Sequence, residues 1–94
     1  VSDENRPEVR DVREIQVDAS NLYREEVFTD LKVGTIRRLT PVRSDGSTDP
    51  DRPLLFSGET QLLTQAGLIP VHAPIEASSL EQAIARFPEA VNRA

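Results

Sequence analysis

Few residues in this chain could do chemistry. There is one histidine, His72, and there is no cysteine. Thiol nucleophiles, disulfide frameworks, Cys-based zinc sites and thioether-bound haem are therefore excluded. A nucleophile–base arrangement would have to use His72. That residue stands between Pro70 and Pro74, where Ile69, Val71, Ala73 and Ile75 alternate with the remaining positions. The alternation puts the imidazole on the polar side of a strand, and no convergent partner marks a triad around it. A zinc spacing such as H-x-x-x-H is absent. The expectation is a chain with no catalytic residue, no cofactor and no metal.

Asp45, Ser47, Asp49 and Asp51 alternate in a manner that superficially suggests a calcium loop. An EF-hand counted from Asp45 would need glycine at its sixth position and a bidentate acid at its twelfth, and it meets Pro50 and Phe56. The four glycines are scattered and form no phosphate-binding loop. A solvated turn accounts for the alternating acids.

The stronger signal is basic. Residues 31–44 contain Lys32, Arg37, Arg38 and Arg43 and no acid, a charge of +4 in a chain whose net charge is -5. The remainder thus carries -9, so charge is segregated along the sequence. Such a segment can meet a phosphate, an acidic partner or the protein's own acids. Sheets that bind nucleic acid add aromatics for stacking, and only Phe28 and Phe56 lie near. Pairing within the chain or with a partner protein ranks above nucleic acid on that ground. Adjacent arginines point to opposite faces of a regular strand, so one flat basic patch would require a bulge near Arg37 and Arg38.

The elements that must position these groups follow from the pattern. At 94 residues the chain holds one domain, and 37 % hydrophobic content is lean. Residues 1–14 are dominated by charge and read as a disordered tail, leaving 15–94 as the domain. A short strand is expected at 15–17, and one or two helical turns after Asp18 or Ser20. Residues 27–31 and 35–43 read as strands, and 44–53 as a long loop with a mobile tip. A third strand is expected over 54–63, with Leu54, Phe56, Gly58, Thr60 and Leu62 inward. Residues 68–77 read as an edge strand whose outer side is blocked by Pro70 and Pro74. Ser78 and Glu81 fit a capping box, opening a helix with Leu80, Ile84, Phe87 and Val91 on one face. Pro88 should break or kink it. The fold class is α+β: a three- to four-stranded antiparallel meander with a C-terminal helix on one face.

The run SNLYREEVFTDLKVGTIRRLTPV over 20–42, with GETQLLTQAG over 58–67 and SLEQA over 79–83, resembles a small family of uncharacterised bacterial proteins labelled cytoplasmic or hypothetical. The resemblance implies a soluble bacterial protein and carries no site across. No apolar run is long enough to span a bilayer, and no apolar region follows a basic start as in a signal peptide. The expected location is the cytoplasm. The expected function is a non-enzymatic protein-interaction module, meeting a protein partner through Lys32, Arg37, Arg38 and Arg43; a homodimer would be expected instead if the C-terminal helix were exposed. The alternative is RNA or other polyanion binding through residues 32–43.

Overall fold

The computed structural model describes residues 11–94. Four strands, β1 (Leu22–Thr29), β2 (Gly34–Val42), β3 (Leu55–Thr64) and β4 (Gly67–Ile75), precede one helix, α1 (Leu80–Arg93). The strands pair in chain order, each antiparallel to the last. The fold is the expected α+β meander, with α1 packed on β4 and β3 and only grazing β2. Most of the tail expected over 1–14 lies outside the described residues. Within it, Val12–Glu14 form a short 3₁₀ turn capped by the Asp11 carboxylate.

Two expectations fail near the start. Residues 15–17 are not a strand, and Ile15 and Val17 are exposed with nothing to pack against. The turns expected to be helical after Asp18 are a brief bend, in which Asp18 accepts from the Ser20 amide and hydroxyl, followed by β1. The charged run Arg24-Glu25-Glu26 hides that strand from a hydrophobic-period reading. It is extended because β2 pairs with every residue of it.

Alternate residues of each strand lie on the side of the sheet that carries α1. Ile36, Phe56, Ile75 and Ala83 form the buried centre, with Leu54, Ala77, Leu80, Phe87 and Ala90 packed around them. Phe87 lies flat over two glycines. A Cβ on Gly34 would stand 2.5 Å from its ring, and one on Gly58 2.7 Å. These glycines, which read as turn or bend positions in the sequence, are the floor of an aromatic seat. A methyl group at either would lift the ring that docks the helix.

The bulge needed to gather the arginines does not form: β2 runs in continuous register against both neighbours. Leu39 therefore stays on the face away from α1, opposite Leu55. The helix cap falls one residue later than expected. The Ser79 hydroxyl accepts from the Gln82 amide, and Gln82 reaches back to the Ser78 amide. Pro88 does not end the helix, which continues to Arg93. It removes only the bond to the Ile84 carbonyl, and both residues are exposed, so water can satisfy that oxygen.

The loop after β2 is tied down rather than free at its tip. Thr48 bridges back to Val42, and the Asp49 amide donates to the Pro41 carbonyl. Arg52 completes the tie. It donates to the carbonyls of Leu22 and Val42 at 2.9 and 2.8 Å, pairs with Asp49 at 3.0 Å, and stacks on Tyr23.

Candidate functional site

The four basic residues singled out above do not converge. Arg37 and Arg38 project from opposite faces of β2, and each is held by glutamates of neighbouring strands. On the open face, Arg37 meets Glu25 of β1 at 3.3 Å and Glu59 of β3 at 3.1 Å. Glu59 in turn meets the His72 Nε2 of β4 at 3.0 Å, an ion pair only when the ring is protonated. The result is a polar row, Glu25–Arg37–Glu59–His72, crossing all four strands, with its first two steps diagonal in the register and Glu59 directly opposite His72. On the helix face, Arg38 makes a two-pronged contact with Glu26, its direct cross-strand partner, with both N–H···O distances at 3.0 Å. Its guanidinium also lies 5.1 Å from the Phe28 ring centre.

Lys32 sits in the turn before β2, and Arg43 follows its other end. Both are exposed, and neither has an ion pair among the described residues. The strand between them separates them by roughly 30 Å at about 3.3 Å per residue. Segregation of charge along the sequence becomes local pairing in space.

The loop acids are also committed to their own turns. Asp45 accepts from the Ser47 hydroxyl and amide, which holds its carboxyl below the usual range. Asp49 is lowered by the Asp51 amide and the Arg52 guanidinium. Asp30 is lowered by the amides of Val33, Lys32 and Gly34, all donating to one oxygen. Among the described residues no three His, Asp or Glu side chains gather as metal ligands would.

Two grooves flank α1. One, of about 530 Å³, runs between β4 and the C-terminal half of the helix. Its guanidiniums are occupied: Arg93 pairs with Glu89 at 2.5 Å, and Arg86 donates to the Glu76 carbonyl at 2.7 Å. The other, of about 400 Å³, lies between α1 and β1 and is apolar, lined by Phe28, Val33, Ile36, Leu80, Ile84 and Phe87. It exists because α1 leans toward β4 and leaves β1 uncovered. Ile84 is 56 % exposed and Val33 64 % exposed there.

The sheet edges beside these grooves differ. At the β4 edge, pairing with β3 falls on Ile69, Val71, Ala73 and Ile75, so Pro70, His72 and Pro74 face outward. The expected proline block is in place. At the β1 edge the parity follows from Pro41, which has no N–H and stands opposite Tyr23. The bonded pairs with β2 are therefore at Leu22, Arg24, Glu26 and Phe28. Tyr23, Glu25, Val27 and Thr29 turn their amides outward, and no described strand pairs with them.

Sequence reading missed this edge because it began the strand at Val27. The signal that could have found it is the pair of adjacent acids, Glu25-Glu26, set against the adjacent bases Arg37-Arg38 across one turn. Among the described residues no helix is long and apolar enough to cross a membrane. Comparison with protein-family models, with curated proteins and with solved structures finds no match for this chain.

Proposed function

We propose that this chain is a non-enzymatic protein-interaction module that meets its partner along β1. The observation that carries this reading is the difference between the two sheet edges. The β4 edge has two of its outward donors removed by proline, while the β1 edge keeps every outward amide and runs beside an apolar groove. An extended segment adding to that edge would gain backbone hydrogen bonds and a place for an apolar side chain. Polyanion binding through Lys32, Arg37, Arg38 and Arg43 has less support, because the two central guanidiniums are held by glutamates and the outer two cations stand far apart. The resemblance to uncharacterised bacterial proteins labelled cytoplasmic or hypothetical assigns no activity.

The test blocks each edge in turn. Val27→Pro removes an outward donor from β1, and His72→Pro adds a third proline to the edge already blocked. With both variants shown to fold by their thermal melts, affinity purification from the source cells should lose its partner with Val27→Pro and keep it with His72→Pro. Equal recovery from both would sink the role of the β1 edge.

A further inference from the structure

The partner can be narrowed from the chemistry of β1 itself. We infer that β1 pairs antiparallel with β1 of a second copy of this chain, giving a two-fold dimer with one continuous eight-stranded sheet. This rests on the reading that the β1 edge is the interaction surface, and it names the occupant.

The argument is self-complementarity. The outward amides belong to Tyr23, Glu25, Val27 and Thr29, so only registers that pair odd positions with odd positions satisfy both chains. A two-fold axis at Arg24 would set that residue against its own copy. An axis at Glu26 would do the same with two carboxylates. Both place like charges in the close, non-hydrogen-bonded position, which is unfavourable. An axis at Val27 would set Glu26 against Phe28 and would ask Arg24 to pair with Asp30. Asp30 lies past the end of β1, in the turn whose amides its own carboxylate holds.

An axis at Glu25 keeps like charges out of the close position; its one like pair, Glu25 against Glu25, falls in the wider hydrogen-bonded position. Arg24 of each copy then stands opposite Glu26 of the other, in the close position, and does so twice; Glu26 already accepts from Arg38 of its own copy, so Arg24 joins that pair as a second cation. Leu22 stands opposite Phe28 twice, and Tyr23 opposite Val27. The two Glu25 carboxylates meet at the axis, each with the Arg37 of its own copy 3.3 Å away. An isologous interface needs this kind of matching of a patch with itself. The pairing also places Leu22 of the second copy beside Phe28, where it extends the wall of the apolar groove between β1 and α1. It leaves α1 of both copies on the same face of the joined sheet, clear of the seam. Arg24 is exposed and has no ion pair among the described residues, so the guanidinium is available for this role.

The experiment is sedimentation of the purified full chain from about 1 µM to about 500 µM, with two charge reversals that the register couples. Arg24→Glu sets a second carboxylate against Glu26, and Glu26→Lys sets an ammonium against Arg24. Each alone should raise the dimer dissociation constant about tenfold or more. Mixed in equal amounts, they should associate again, because the mixed dimer restores opposite charges at both contacts. Arg24→Glu breaks no ion pair among the described residues, which keeps the test usable if Glu26→Lys loses stability with its Arg38 pair; a melt reports that. A wild-type chain that stays monomeric throughout would overturn the inference, as would a dimer indifferent to Arg24→Glu. A well-folded pair of variants whose mixture fails to recover would overturn the register. A monomer whose capture of another protein still depends on β1 would refute self-pairing and leave the module reading standing.

Discussion

The two faces of the sheet are built from alternate residues of the same four strands, and they are held in different ways. The helix face is closed by volume: the Phe87 ring on Gly34 and Gly58, with Ile36, Phe56, Ile75 and Ala83 packed around it. The open face is organised by charge, the row of Glu25, Arg37, Glu59 and His72, with Leu55 and Val27 left 42 % and 55 % exposed between them. Buried apolar area stabilises by roughly 25 cal/mol per Å². Half-exposed ion pairs contribute about 0–1 kcal/mol each. The fold therefore stands on one face, and the other sets register and selects which charges remain available. A basic stretch in the sequence is no guide to a basic surface when each strand brings acids to the same level.

Four measurements would break or sharpen that contrast. Phe87→Ala should lower unfolding free energy by about 3–5 kcal/mol in denaturant titration, since it empties the seat between helix and sheet; a loss below about 1 kcal/mol would mean that α1 is held elsewhere. Gly58→Ala should cost about 1–3 kcal/mol, because the new methyl meets both the Phe87 ring and the Ile75 side chain. The same substitution on an open-face position of β3, Ser57→Ala, should stay within about 0.5 kcal/mol. Arg37→Ala should cost no more than about 1 kcal/mol, and less in high salt, because its pairs are partly exposed; a cost near that of Phe87→Ala would erase the distinction between the faces.

The smallest effect is a pH slope. The folded Asp30 carboxyl is held below its ordinary value by three amides. The stability it adds is present above the unfolded-state value near 4 and is lost as pH falls through the lower folded value. Asp30→Asn should flatten the acid limb of the stability curve, and an unchanged limb would show that the turn does not sense the charge.

The fold class was readable because three signals agreed: the clean alternation from Leu68 to Glu76, the prolines on one parity of that strand, and the spacing of Leu80, Ile84 and Phe87. What escaped depends on contacts between distant residues. β1 is half charged, and its extended form comes from pairing with β2. Gly34 and Gly58 read as punctuation, since nothing local reveals a ring 29 or more positions away in the chain. Arg37 and Arg38 are visible as residues, and their charge alone allows pairing with the chain's own acids, but the identity of those acids follows from register. Arg52 gave no signal at all, because its role is to hold carbonyls that belong to β1 and β2.

That role bears on how the chain folds. The β1–β2 and β3–β4 hairpins close over residues 30–33 and 65–66, short spans that cost little loop entropy, while joining them requires closure of residues 43–54. Among the described residues, the side chain that links β1, β2 and this segment, Arg52, lies within the segment itself. Closure of the longest connection is thereby tied to the open end of the first hairpin. The assembly of the four-stranded sheet should be limited by the moment when Arg52 reaches the two carbonyls rather than by either hairpin alone.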